Sequence, residues 1–131
     1  MARATGTFEI TSQDEEVVRD ADGEPKLTRA RGAQRFSGDI DGDGHVDWLC
    51  CYLPSGTARL IGLQRVDGTL VGRRGSFVVE AVSDHDGRQS RGTWTVVPGS
   101  GTGELAGIAG SGGFEAPGGP AVSYWLDHGL D

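Results

Sequence analysis

The sequence predicts an all-β domain, a sandwich or a barrel, on three observations. No segment keeps apolar residues at i, i+3, i+4 and i+7 through three helical turns, because glycine, 23 of 131 residues, interrupts every candidate. Short β-like runs recur instead, with turn signals between them. Prolines 25, 54, 98, 117 and 120 all fall between those runs, where a missing N–H is tolerated.

Taken in order, the runs are Ala4–Thr11, Leu27–Gly38, Val46–Leu53, Ala58–Val66, Gly75–Val82, Gly92–Val97, Gly103–Ala109 and Ala121–His128. Turn chemistry separates them at Asp22-Gly23, Asp43-Gly44, Pro54-Ser-Gly56, Asp67-Gly68, Asp86-Gly87 and Pro98-Gly99. Within the runs, alternation assigns faces. Val46, Trp48, Cys50 and Tyr52 share one side, opposite Asp47, Leu49, Cys51 and Leu53. Leu60, Gly62 and Gln64 oppose Ile61, Leu63 and Arg65; Ser76, Val78 and Glu80 oppose Phe77, Val79 and Ala81. Apolar residues on both faces are more than a sheet with one wet face requires. Closure into a barrel together with packing between copies explains them, and about eight strands enclose room for side chains or one small ligand.

A chain of 131 residues is long enough for one domain over 1–131 with a core of its own. The net charge of −7 opposes general nucleic-acid binding, which needs a basic face, and opposes attraction to anionic membranes. The first residues carry no apolar leader-like stretch, and no later run approaches membrane-spanning length. Cys50 and Cys51 are adjacent and would point to opposite faces of a strand, which disfavours a disulfide between them. A cytoplasmic address follows. Lys26 is the one lysine among twelve basic residues, a bias suggesting a high-GC bacterial genome.

Several chemistries lack their residues. No serine sits in a Gly-x-Ser-x-Gly nucleophile elbow. "PGSGTGELAG" lacks the Lys-Ser/Thr of a phosphate loop and opens no helix, so it reads as a glycine-rich turn feeding a strand. His45, His85 and His128 have no metal-ligand spacing with the cysteines and read as surface residues. In "DIDGDGHVD", Asp39, Asp41, Asp43, Gly44 and Asp47 match positions one, three, five, six and nine of a calcium loop. Position twelve is Cys50 instead of glutamate, and no helices flank the loop. It reads as an acidic hairpin connection, ending one strand near Asp39 and starting the next at Val46. No metal and no cofactor are expected.

Polar groups inside a barrel are the remaining source of chemistry. Glu80 stands in the otherwise apolar "GSFVVEAV", where burial would raise its pKa or demand a partner. Trp48, Tyr52, Trp94 and Tyr124 could line an aromatic pocket or simply pack the core.

The motifs "GTFEI", "KLTRA", "FSGDIDGDG", "GTLVGRRGSFVVE", "WTVVPGSGTGELAGIAGSGGF" and "YWLD" resemble, in order and over nearly the whole chain, the domain-of-unknown-function 3224 family. The resemblance implies a closed antiparallel barrel like that of allene oxide cyclase, often oligomeric, here a homodimer or homotrimer. Relatives of that shape guide cyclisation of small apolar substrates without a cofactor. This chain departs from the family at Leu60, Gln64 and Glu80-Ala81, where tyrosine, glutamate and a Gln-His pair are common.

The leading expectation is therefore a cofactor-independent cyclase or isomerase of a small, mainly hydrophobic metabolite. Glu80 would be the general acid or base, with Gln64 and Tyr52 orienting the substrate and Trp48, Trp94 and Tyr124 walling the pocket. A non-catalytic binding barrel and an oligomeric structural domain with a filled interior are the alternatives.

Overall fold

Each strand turns every second side chain to one interior, and the ends of the sheet meet. The computed structural model describes residues 1–130. Its strands are β1 (Ala2–Arg19), β2 (Lys26–Gly38), β3 (Ile40–Tyr52), β4 (Ala58–Leu70), β5 (Arg73–His85), β6 (Ser90–Val96), β7 (Ile108–Ala116) and β8 (Ala121–Leu130). Each pairs antiparallel with the next, and β8 pairs with β1, closing the barrel. The interior is built on Phe8, Phe36, Phe77, Trp94, Phe114 and Tyr124. Five of these rings meet at centroid distances of 4.9 to 6.2 Å. Such contacts add about 0.5–1.5 kcal/mol each beyond simple burial.

The abundant glycine has a packing reason. A Cβ at Gly92 would stand 2.0 Å from Phe114 Cζ, one at Gly44 2.5 Å from Phe36 Cε1, and one at Gly62 2.9 Å from Trp48 Cε3. The partners are cross-strand neighbours in two of these cases, Gly92 with Phe114 and Gly62 with Trp48. Aromatic rings thus lie across bare backbone. Small and large residues alternate around a narrow lumen, as a small barrel requires.

Three readings of the sequence need correction. Asp43-Gly44 and Asp67-Gly68 are not turns but lie within β3 and β4, where Asp43 pairs with Asp67 and Gly42 with Gly68. The glycines face inward and are hairpin-like in composition only. A Cβ at Gly42 would meet the Asp67 carbonyl oxygen at 2.2 Å, so the two strands approach too closely for a side chain. The chain reverses instead at Gly38-Asp39 and at Val71-Gly72, where φ is 49° and 81°. Two consecutive positive φ values fit the primed hairpin turn, an unusual place for a β-branched residue. Third, Gly103–Leu105 forms a 3-10 turn, and the strand expected at Gly103–Ala109 begins only at Ile108.

That 3-10 turn closes one end of the barrel. Thr102 N–H donates to the Ser76 carbonyl at 2.8 Å and Val97 N–H to the Val78 carbonyl at 2.9 Å. Between them, the Thr102 and Ser100 hydroxyls accept the N–H groups of Ser76 and Val78 at 3.0 and 3.1 Å. "PGSGTGEL" therefore completes the edge of β5 where β6 has ended, and its last residue, Leu105, plugs the core at 1% exposure.

Candidate site at the open mouth

The opposite end is built differently. Strand β1 pairs with β8 only from Ala2 to Glu9, then continues to Arg19 paired with β2 alone. Irregularities between Ile10 and Ser12 and between Val17 and Arg19 reset its register, which places Glu15 opposite Ala30. Ala30 lies opposite Trp48, and Thr28 opposite Cys50. Glu15 thereby joins the row of inward-facing residues on β2 and β3.

Its carboxylate is the organising group. Thr28 Oγ1 and Tyr52 OH both donate to Glu15 Oε2, each at 2.6 Å. These donors hold the Glu15 carboxyl below the usual carboxylate range. Burial, and then the bond to Glu15, pushes the Tyr52 phenol well above its ordinary value. Burial likewise raises the thiol of the adjacent Cys50. The cluster is thus an ionised acceptor held by two neutral donors. Both donors use the same carboxylate oxygen, which leaves Oε1 to receive a proton donor from outside. Trp48, two residues before Cys50 and on the same face, is half-buried against the core. Leu60, opposite Cys50, is half-buried as well.

The expected site residues separate into four groups. Trp48 and Tyr52 stand together at this mouth. Deeper in the barrel, Gln64 is 1% exposed and its Nε2 donates to Gln34 Oε1 at 3.3 Å. Trp94, also 1% exposed, is central in the aromatic cluster, and its Nε1 has no hydrogen-bond partner. Tyr124 belongs to the closed end: its hydroxyl accepts Ile40 N–H at 2.9 Å and reaches the Ser37 carbonyl at 3.2 Å. That is a clamp on the β2–β3 reversal. Glu80 is elsewhere. It is exposed on the outer face of β5, between Leu63 and Thr95, because the inward parity of that strand belongs to Phe77, Val79, Ala81 and Ser83. The expectation of a carboxylate at Glu80 inside the barrel is corrected accordingly.

The acidic stretch is also distributed along a strand. Asp39 accepts Thr5 N–H at 2.9 Å, while Asp41, Asp43 and Asp47 point outward along β3. Asp41 pairs with Arg35, and Asp47 lies 3.4 Å from His45. His45 is exposed, as expected of a surface residue; His85 and His128 are half-buried, with His85 Nδ1 2.9 Å from Ser90 Oγ at the mouth.

Outside the barrel, β2 to β5 and the end of β1 border a hollow of about 830 Å³ whose lining includes the apolar Val18, Leu27, Leu49, Leu53 and Ile61 and the charged Arg59 and Asp84. It is the outward counterpart of the alternation seen in the sequence.

Comparison with known proteins supplies the relationship. A match to the family described as "Protein of unknown function (DUF3224)" spans residues 4–128. The chain belongs to the DUF3224 family. A crystal structure of a DUF3224 protein of unknown function from Shewanella oneidensis MR-1 superposes with a TM-score of 0.84 at 26% identity, covering 100% of this chain and 98% of that one. No curated protein matches the chain. Among the described residues, no helix is long and apolar enough to cross a membrane.

Sequence reasoning missed Glu15, Thr28 and Cys50. Glu15 lay beyond the expected end of the first strand, at Thr11, and its inward direction depends on a register irregularity. The available signal was the alternation of Thr28 with Ala30 in "KLTRA", which puts a hydroxyl on the apolar face.

Proposed function

We propose that this DUF3224 protein is a small-molecule-binding barrel that receives its ligand at the open mouth. The ligand has an apolar body resting on Trp48 and Leu60 and a hydroxyl or amine donating to Glu15. The observation that carries this reading is the Glu15 carboxylate, fixed by Thr28 and Tyr52 with one oxygen left over. Barrel mouths that combine apolar walls with a few convergent polar groups are common ligand sites. The allene-oxide-cyclase-like barrel that the sequence motifs imply would suit a small, mainly hydrophobic metabolite and no cofactor.

Binding is preferred to cyclase or isomerase chemistry on one ground. General acid or base work needs a group whose pKa lies near the working pH. Glu80 stands outside the barrel, and the hydrogen bonds to Glu15 move its carboxyl away from neutrality.

The test is a titration with 2-naphthol, an apolar hydroxyl donor, followed by quenching of tryptophan fluorescence. Saturable quenching is expected, weakened about tenfold by Glu15→Gln, equivalent to the loss of one good hydrogen bond to a charged group. Trp48→Ala removes both the wall and the fluorophore beside the site, leaving Trp94 and Trp125, so calorimetry reads that variant. Quenching without saturation, or equal affinity in Glu15→Gln, overturns the site. Chemical conversion of a co-purifying metabolite by the protein would restore the isomerase reading.

A further inference from the structure

The outer face of the barrel is not uniform. Most of it carries ion pairs, such as Arg3–Asp127, Arg35–Asp41 and Arg65–Asp67. On β3 and β4, by contrast, Leu49, Ile61 and Leu63 are 61%, 50% and 55% exposed. They are neighbours: Leu49 pairs with Ile61, and Leu63 is the next outward residue of β4. Leu49 and Ile61, with Leu27 and Leu53, also line the 830 Å³ hollow, and Leu63 extends the apolar tract beyond it. A contiguous apolar surface of this kind marks an interaction site more often than chance.

Charge identifies the occupant. The β2 flank of the apolar tract carries Arg29 and Arg31, and its β5 flank carries Glu80 and Asp84. Arg31 and Glu80 lie in one cross-strand row, which runs Arg31, Asp47, Leu63, Glu80. Neither has an ion-pair partner among the described residues. Arg29 is answered by Glu16 and Asp84 by Arg59 within the chain, so Arg31 and Glu80 are the flank charges left over. Opposite charges on either side of an apolar centre make the face complementary to itself under a twofold rotation, the property an isologous dimer requires.

We propose that the outer face of β2–β5 is the interface of a homodimer. The twofold axis runs roughly along the strands, between β3 and β4. Face-to-face packing then lays β2 of one copy over β5 of the other, in the aligned arrangement common to packed sheets. Leu49 covers the second copy's Ile61, and Arg31 meets the second copy's Glu80; the reciprocal contacts follow by symmetry. Glu80 thus acquires a role outside the barrel, as a specificity contact at the rim of the interface. This proposal does not depend on the ligand reading, since the two faces are on opposite sides of the sheet.

Sedimentation velocity and native mass spectrometry of the full chain test it. The wild type is expected to be a dimer, and Ile61→Glu a monomer with an unchanged circular-dichroism spectrum. Glu80→Arg, which places like charges together, is expected to weaken association by about tenfold or more. Combining it with Arg31→Glu restores the pair in reverse and should recover the dimer. A wild type that stays monomeric at about 100 μM, an upper limit for a useful self-association, overturns the proposal. So does a closed trimer, or a dimer indifferent to Ile61→Glu. Rescue of Glu80→Arg by Arg31→Glu separates this interface from one that merely dislikes added charge, and failure of rescue also counts against it. An apolar small molecule seated in the hollow would appear in native spectra as added mass on a monomer, which again overturns the dimer.

Discussion

The two ends of the barrel solve the same problem in opposite ways. Where β6 stops, the closed end continues the sheet with the hydroxyls of Ser100 and Thr102, plugs it with Leu105 and clamps the β2–β3 reversal with Tyr124. At the open end, β1 runs on for ten residues without β8, and the polar groups bond to one another across a half-exposed rim. Local stability in a fold tracks buried apolar contact and satisfied backbone, and binding surfaces come from its weaker regions. The closed end therefore holds the barrel shut, while the mouth is the end at which the proposed ligand would enter.

The largest effect that would break this contrast comes from trimming one aromatic at each level. Phe36→Ala removes a fully buried ring that touches Phe8, Trp94 and Tyr124. It should cost about 3–5 kcal/mol, the usual penalty for emptying a core aromatic site. Trp48→Ala removes a larger ring that is only half-buried, and the mouth can admit water in its place. Its cost should be about 1–2 kcal/mol. Urea unfolding of both variants gives the comparison; equal losses would mean that the mouth is as much core as the centre.

Tyr124→Phe asks a finer question of the closed end. The ring stays, and only the hydroxyl that accepts Ile40 N–H is removed. The N–H is left buried without an acceptor, a loss of about 1–3 kcal/mol. Tyr52→Phe, the matching change at the mouth, leaves Glu15 with Thr28 and solvent, so about 0.5–1 kcal/mol is expected. Hydrogen exchange at Ile40 should quicken in the first variant and not in the second.

Much of the barrel was legible because alternation and turn chemistry are local. The grouping of Val46, Trp48, Cys50 and Tyr52 on one face of β3 followed from period two alone, and the structure turns that face inward; the lack of sustained helix was equally local. What failed depended on partners distant in sequence. Asp-Gly at 43–44 and 67–68 has hairpin composition, yet each is held extended by the other strand. Glu80 sits in an apolar run, but the run is apolar on both faces because one faces the lumen and the other faces outward, so composition could not reveal its direction. Glu15 was lost for a third reason. Its direction is set by a register irregularity, and no period in the sequence marks where one strand skips a residue.

The smallest expected effect is a pH dependence that differs between the ends. His128, at the closed end, has a buried Nε2 without a partner, and burial holds its imidazole below the ordinary 6.5. The unfolded chain then takes up a proton before the folded one, so stability is intact above about pH 6.5 and declines as pH falls through the lower folded value. Glu15, at the mouth, has a carboxyl held below the ordinary 4.5 by Thr28 and Tyr52, so its contribution persists to lower pH and fades only as pH falls through its depressed folded value. Asp86 and Asp127 are depressed as well and share that second window. Acid titration of the melting temperature should accordingly fall in two stages, the first of no more than a few degrees. His128→Phe should erase the first stage and leave the second. Were the first stage to survive that substitution, the proton would be entering the fold at another group, and the closed end would not be the region that senses mild acid.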